Sequence, residues 1–421
     1  MLSIEAARQP MSLSTPVPPL TDRSVVVTGV GAVSAGGTGV ASLFEAAVSG
    51  RSKAAAREFR SKAPACFPVC PAPDIDLTPA EWRPLRKMDR SVQLAWLAAN
   101  EAWRQAGVAA AHEPGRIGIM VGSSRGPLEK RFEGLTLADG QRPPPSLVAD
   151  TTFAALSGAL VRALGTRGPG AMISATCASS GFAIAFAAEQ ILLGNADAML
   201  VGGTEAPLHA ALLAQMDSAG VLGSHPLPEK TCRPFDESRN GLVLGEGSGF
   251  MVLEAADAAE ARRAPVLARL AGWGTGTDES GRSGVDPEGA GLVQVMRRAL
   301  QRAGLQPDQI DYINAHGTGT RLNDAMEARA VMKMFGANVP CSSTKPITGH
   351  CLGATSALEA IICIETLRRQ LLPPTANCEA QDAHCPINVL PLKARPARVA
   401  ATMSNSLGFW GYHASLIFCA P

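Results

Sequence analysis

Cys177 sits in Ile173-Ser-Ala-Thr-Cys-Ala-Ser-Ser-Gly-Phe182, where a short β-prone run gives way to an Ala-rich helical pattern over residues 178–193. A cysteine on a strand-to-helix turn lies at a helix N-terminus. Unpaired N–H groups and the helix macrodipole there favour a thiolate, and the same N–H groups can hold a developing oxyanion. Taken alone, the residue reads more readily as a buried structural thiol than as a nucleophile. Three segments far downstream change that balance. They are Asn314-Ala-His-Gly-Thr-Gly-Thr320, followed by Asp324 and Glu327; Ser343-Thr-Lys-Pro-Ile-Thr-Gly-His350; and Ser404-Asn-Ser-Leu-Gly-Phe-Trp-Gly411, read as a Gly-rich loop between the last two strands. Each histidine follows a β-prone run and stands among turn residues, where the loops of an α/β scaffold carry function. Cys177, His316 and His350 together supply one nucleophile and two imidazoles.

The elements that must position these residues alternate between strand and helix. Strands are expected at 23–34, 116–122, 198–205 and 247–254, with helices at 39–49, 91–105, 150–164 and 178–193. The second half repeats the order: strands at 266–272, 310–314, 340–343, 398–403 and 414–418, and helices at 289–303 and 350–369. The strand–helix unit with Cys177 and the one with His350 occupy matching places, which argues for a duplicated α/β unit. The halves are taken as residues 23–258 and 259–421, preceded by a loose tail over 1–22. Residues 51–85 are Pro-rich and expected to be irregular. Gly29-Val-Gly31 after the first strand invites a dinucleotide-fold reading, but Ser34 stands where the third glycine would be, and glycines closing a tight turn are the expected explanation. The basic cluster between Arg83 and Arg90 is either a solvated face or a docking surface for an acidic partner.

The whole-chain numbers exclude several classes. With 46% apolar and 18% charged residues, the chain is a globular protein and not a disordered one. A net charge of +1 argues against a protein that coats nucleic acid. The ten cysteines are scattered, with no Cys-x-x-Cys and no zinc spacing, so no metal is expected and reduced thiols in the cytoplasm fit best. The first 22 residues lack the apolar core of a signal peptide, and charged and polar residues interrupt the longest apolar stretch, so no membrane span is expected.

The cysteine, the His-Gly-Thr-x-Thr run at 316–320 and the Lys-x-x-x-Gly-His run at 345–350 resemble the β-ketoacyl-acyl carrier protein synthases, chain-elongating condensing enzymes of the thiolase fold. The likeness extends from about Arg23 to Phe418. It implies two layered halves in an α-β-α-β-α arrangement, and a decarboxylative Claisen condensation of malonyl thioester with an acyl chain carried on Cys177. It implies that the backbone N–H groups of Cys177 and Phe409 form the oxyanion hole, and that His316 and His350 donate to the malonyl thioester carbonyl. Phe409 matches a gate between acyl and malonyl sites, and Thr318 and Thr320 match contacts to a phosphopantetheine arm. Lys345 matches a lysine that pairs with a carboxylate, expected to be Glu327. No cofactor is implied beyond the pantetheine arm of an acyl carrier protein, and the partners implied are that carrier and a second ketosynthase-like subunit, identical or a chain-length partner.

Two positions depart from the family pattern. Its usual ending, Gly-Phe-Gly-Gly-Thr-Asn, reads Gly408-Phe-Trp-Gly-Tyr-His413 here, so Trp410 adds bulk beside the gate. Arg125 stands about where fatty-acid members place an apolar residue reaching a neighbouring subunit's acyl pocket; it either points to solvent or a local carboxylate, or caps the pocket and meets a polar or unsaturated chain. Both departures favour specialised polyketide or polyene synthesis over housekeeping fatty-acid synthesis. The rival readings are a non-catalytic chain-length subunit, which typically lacks the active cysteine; a thiolase, whose Cys-x-Gly motif is missing; and a nucleotide-dependent oxidoreductase, resting only on Gly29 and Gly31.

Overall fold

The computed structural model describes residues 23–59, 65–75, 85–136, 142–279 and 286–421. The expected tail over 1–22 and part of the basic cluster, including Arg83, lie outside the described residues.

Ten strands form the frame. In the first half they are β1 (Val25–Ser34), β2 (Ile117–Gly122), β3 (Gly170–Ile173), β4 (Ala198–Glu205) and β5 (Gly247–Ala255), in the sheet order β3-β2-β4-β5-β1. In the second they are β6 (Ala268–Thr277), β7 (Tyr312–Asn314), β8 (Pro340–Ser342), β9 (Ala401–Gly408) and β10 (Tyr412–Cys419), in the order β8-β7-β9-β10-β6. In each half the first three of these strands lie parallel and the remaining pairings are antiparallel. The halves meet where β1 pairs antiparallel with β6, at Val26–Arg269 and Val27–Ala268. A short strand, Asn388–Val389, extends the β8 edge.

The principal helices are α1 (Val40–Ser49), α2 (Arg90–Ala106), α3 (Ala154–Leu164), α4 (Ser179–Leu192), α5 (Ala290–Ala303), α6 (Arg321–Phe335) and α7 (Thr355–Arg369). Helices α4 and α7 pack on each other and on strands of both halves, and they are apolar nearly all round, as a helix sandwiched between two sheets must be. Helices α2 and α5 cover the outer faces and show one apolar stripe each. The layering is therefore α-β-α-β-α.

The duplication reaches single residues. Gly29 and Gly31 lie inside β1, where a Cβ would run into the carbonyls of Ala102 and Ala98 on α2. Gly272 and Gly274 lie inside β6, where a Cβ would run into the carbonyls of Ala299 and Val295 on α5. The strand register shifts at matching places, between Val27 and Gly29 and between Leu270 and Gly272. The Gly-x-Gly of β1 thus closes no turn and holds no nucleotide. It removes side chains so that a helix can lie against the strand.

Other boundaries differ from the sequence reading. The stretch expected to be irregular contains two antiparallel strands, Ala55–Phe59 and Ala65–Cys70, the second pairing with Leu244–Gly245. The expected loop at 404–411 is mostly β9, which runs to Gly408, leaving a tight turn at 409–411. Every residue of β9 is buried, and ladder bonds to β10 override the local preference of Ser404, Asn405 and Ser406 for a loop.

Candidate active site

The site lies beyond the carboxyl ends of β2, β3, β7 and β8, where crossover loops of an open α/β sheet converge. Between β3 and α4, Thr176 adopts a left-handed conformation (φ 50) that lifts Cys177 onto a sharp turn. Ser179 locks this turn: its hydroxyl accepts from the N–H of Ala175 at 2.9 Å and donates to the carbonyl of Thr176 at 2.6 Å.

Cys177 is 7% exposed and packs among Leu212, Met216, Leu242 and Leu352. Burial pushes its thiol up to about 12, against the smaller downward pull of the Lys345 and Arg125 charges. The expected resting thiolate is therefore corrected to a thiol. Desolvation of the sulfur outweighs the helix end and both cations.

The two histidines come from the other half. His316 follows β7 and His350 follows β8, and their rings meet edge to face with centroids 5.2 Å apart. Burial, followed by the Lys345 charge, holds both well below the ordinary histidine range, so both are neutral near pH 7. Lys345 Nζ stands 3.3 Å from Nδ1 of His316 and also donates to the His316 carbonyl. An ammonium has only protons to give, so Nδ1 accepts and the proton of neutral His316 resides on Nε2. Nδ1 of His350 faces the Thr355 hydroxyl at 3.1 Å.

Lys345 pairs with Glu359 on α7, at 2.6 Å, and not with Glu327. Glu327, on α6, is engaged elsewhere: its two oxygens accept from the N–H groups of His316 at 2.7 Å and Gly317 at 2.8 Å. It fastens the histidine loop directly. Asp324, one helical turn earlier, accepts from the N–H groups of Thr318, Gly319 and Phe235. Burial raises the pKa of Asp324, and raises those of Glu327 and Glu359 to about 7.

Two cavities meet at the cysteine. The larger, about 630 Å³, is lined by Cys177, His316, His350, Thr318, Thr320, Asn240, Leu242 and Phe409 among others. The hydroxyls of Thr318 and Thr320 are 2.9 Å apart on its wall. The smaller, about 150 Å³, is lined by Ser124, Arg125, Thr176, Cys177, Met216, Leu352, Phe409 and Trp410. Cys177, Met216, Leu352 and Phe409 border both. The Phe409 carbonyl accepts from the Thr176 hydroxyl at 3.2 Å, and a Cβ on Gly408 would crowd the same turn. Trp410 is left-handed (φ 65) and 57% exposed.

A buried carboxylate that sequence reasoning missed organises the small cavity. Glu205, at the end of β4, accepts from the Ser123 hydroxyl and from the N–H groups of Ser124, Arg125 and Gly353. It joins the Arg125 loop to the turn after His350. A carboxylate ending an apolar strand was its signal in the sequence. Arg90, in contrast, is taken up by Glu246 and the carbonyls of Ala72 and Pro73, which removes it from the basic cluster as a docking group. Arg86 and Lys87 remain exposed. No helix of the described residues is long and apolar enough to cross a membrane, and no group of three or more metal-binding side chains occurs among them.

Comparison with known proteins agrees with this geometry. The Beta-ketoacyl synthase, N-terminal domain, matches residues 22–259, and the Beta-ketoacyl synthase, C-terminal domain, matches residues 267–379. Nodulation protein E of Rhizobium sp. (strain N33) is 38% identical over 410 residues, covering 94% of this chain and 99% of that protein. The 3-oxoacyl-[acyl-carrier-protein] synthase 2 of Coxiella burnetii (strain RSA 493 / Nine Mile phase I) is 34% identical over 410 residues, covering 94% and 98%. Among solved structures, the ishigamide ketosynthase/chain length factor superposes with a TM-score of 0.85 at 32% identity, covering 95% of this chain and 99% of that one. The chain, with its duplicated thiolase-like fold, belongs to the β-ketoacyl synthase family.

Proposed function

We propose that the protein condenses an acyl chain held on Cys177 with a malonyl thioester, both delivered on the pantetheine arm of an acyl carrier protein. One observation carries this reading: the nucleophile from one half and two neutral histidines from the other wall a single cavity, beside paired threonine hydroxyls.

In the first step, Cys177 Sγ attacks the acyl thioester carbonyl. The Sγ–C bond forms, the C–S bond to pantetheine breaks, and the thiol proton leaves with the pantetheine sulfur. With Cys177 a thiol at rest, its proton is given up only as substrate sulfur becomes able to take it. The N–H groups of Cys177 and Phe409 hold the tetrahedral oxyanion. In the second step malonyl thioester enters the larger cavity, with Thr318 and Thr320 along its arm. Nε2–H of His316 donates to the thioester carbonyl, and Nε2–H of His350 does the same once Thr355 donates to its Nδ1. Carbon dioxide departs, the enolate carbon attacks the acyl carbonyl, and the Cys177 sulfur leaves and regains a proton. Two neutral donors suit this step, because they stabilise the enolate oxygen without protonating the carbon that must attack.

The small cavity, bounded by Arg125 and Trp410, supports a restricted acyl choice and hence a specialised polyketide, polyene or fatty-acid-like product. The family relation supports a carrier-protein partner and a dimer, with an identical copy or with a chain-length subunit. Scattered reduced thiols support a cytoplasmic setting. No further cofactor enters the chemistry. The test is intact-mass spectrometry of wild type and Cys177→Ala given acyl-carrier protein and then malonyl-carrier protein. Acyl mass should appear on wild type alone and leave as β-ketoacyl-carrier protein when malonyl is added. Wild type that takes up no acyl group from any carrier would refute the reading.

A further inference from the structure

The small cavity has a mixed lining, where an acyl pocket would be expected to be wholly apolar. Ser124, Arg125 and Thr176 stand in its wall beside Cys177, Met216 and Trp410. Arg125 is the charged residue of that wall. Its Nε is buried and has no hydrogen-bond partner, and its side chain makes no ion pair among the described residues. Its charge reaches the nucleophile, since it acts to lower the Cys177 thiol against the larger effect of burial.

The place of Arg125 in the fold is also informative. It lies in the loop after β2, the counterpart of the loop after β7 that carries His316. Each loop is fastened in the same way. Glu205 takes the successive N–H groups of Ser124 and Arg125 at 2.7 and 2.9 Å, and Glu327 takes those of His316 and Gly317 at 2.7 and 2.8 Å. One fastened loop presents an imidazole to the malonyl side; the other presents a guanidinium to the acyl side. A buried guanidinium N–H with no partner is costly until an acceptor arrives, and a planar fork of donors is suited to oxygen acceptors. At roughly 30 Å³ per water-sized volume, the cavity of about 150 Å³ admits only a few heavy atoms.

Taking the condensing reaction as given, we propose that Arg125 is a specificity residue that selects short acyl groups bearing an acceptor oxygen, as a keto group or a carboxylate, over plain alkyl chains of the same length. In the free enzyme the buried Nε–H of Arg125 waits without a partner; in the acyl-enzyme the guanidinium donates to that oxygen.

The test uses the full chain and three four-carbon pantetheine thioesters: butyryl, 3-oxobutyryl and succinyl. Initial rates of acylation at Cys177 are read by intact mass for wild type, Arg125→Leu and Arg125→Lys. Wild type should take at least one oxygenated group about tenfold faster than butyryl, and the faster of the two identifies whether a keto group or a carboxylate is read. Arg125→Leu should reverse the order in favour of butyryl, and Arg125→Lys should keep the original order with a smaller ratio. Butyryl as fast as both oxygenated groups on wild type, or the same ratios in all three proteins, would overturn this inference and leave the condensing reaction standing. Acylation by none of the three would likewise overturn this inference, and the condensing reaction would fall only if no acyl-carrier protein loads Cys177 either.

Discussion

The two halves of the molecule are built alike but present different side chains to the site, and the difference lies in their loops. Sheet order, strand directions, the register shifts in β1 and β6 and the glycine pairs beneath α2 and α5 all repeat. The connections after the third strand of each half do not. From β3 to α4 the chain needs only residues 174–178, a tight turn that thrusts Cys177 forward. From β8 to α7 it spends residues 343–354, long enough to bury Lys345, turn through two short helical segments and present His350. The short loop presents the proposed nucleophile, and the long one presents the histidine proposed as a hydrogen-bond donor. Because α4 and α7 lie side by side between the sheets, both loops open into the same cavity. The scaffold supplies position, and loop length decides which chemistry is placed there.

The comparison breaks most sharply if the chemistry is separated by half. Cys177→Ala should lower condensation by about 10⁴-fold or more, as removal of a covalent nucleophile does, while malonyl-carrier protein is still decarboxylated. His316→Ala and His350→Ala should do the reverse. They should accept the acyl group at Cys177 but lose about 10²–10³-fold in decarboxylation, the cost of one donor to a developing oxyanion. Measuring carbon dioxide release and acyl-enzyme mass separately checks both directions. Loss of both activities in every variant would mean that the halves do not divide the reaction.

Lys345 sharpens the same contrast through pH. Burial and the Lys345 charge both depress the His316 pKa. Lys345→Met removes the like charge, so the pKa rises and imidazolium forms at a higher pH than in wild type. The acid limb of decarboxylation should therefore move upward by about one pH unit. A pH–rate profile for each partial reaction tests this, and an unmoved limb would remove Lys345 from the control of His316. A partner-deleted buried pair is also destabilising by about 3–5 kcal/mol, so the profile should be read well below the melting transition.

Much of this was legible in the chain itself. The alternation of elements, the matching of the Cys177 and His350 units and the convergence of Cys177, His316 and His350 on one cavity are foreshadowed there because each rests on a local pattern. What the sequence concealed depends on contacts across elements. The family resemblance pointed to Glu327 as the partner for Lys345, yet its oxygens face backbone N–H groups. Glu359 was the better clue, as a lone carboxylate within Ala357-Leu-Glu-Ala-Ile-Ile-Cys-Ile364, a run that is otherwise apolar and wholly buried. A charge in such a place needs a partner. The thiol state of Cys177 was hidden for a related reason: helix-end electrostatics can be read from a turn, but desolvation comes from Leu212, Met216, Leu242 and Leu352, which arrive from three other segments.

The repeat predicts equal penalties at equal places. Gly31→Ala and Gly274→Ala each force a Cβ into a helix carbonyl, that of Ala98 in one half and Val295 in the other. Each should lower stability by about 1–3 kcal/mol, the usual cost of overpacking, measured by denaturant unfolding. Similar values would establish that both helix–strand contacts carry load. A neutral substitution in one half only would show that its helix can shift away, and the duplication would then be geometric but not energetic.

The smallest effect is expected at Trp410, where the halves touch through the turn between β9 and β10. Its left-handed backbone (φ 65, ψ 22) strains a bulky residue, at about 1–2 kcal/mol. Glycine relieves that strain but loses about 0.5–1 kcal/mol in chain entropy, and the exposed indole has little packing to forfeit. Trp410→Gly should therefore alter stability by no more than about 1 kcal/mol. Its effect on substrate should be clearer, because Trp410 shares the small cavity with Arg125 and Cys177. Removing the indole opens that wall, so acyl chains longer than wild type accepts should load onto Cys177, measured by intact mass across a chain-length series. A variant with near-native stability and an unchanged chain-length profile would show that the turn shapes the acyl site through Phe409 and Gly408 alone, and that the indole takes no part in restricting the chain.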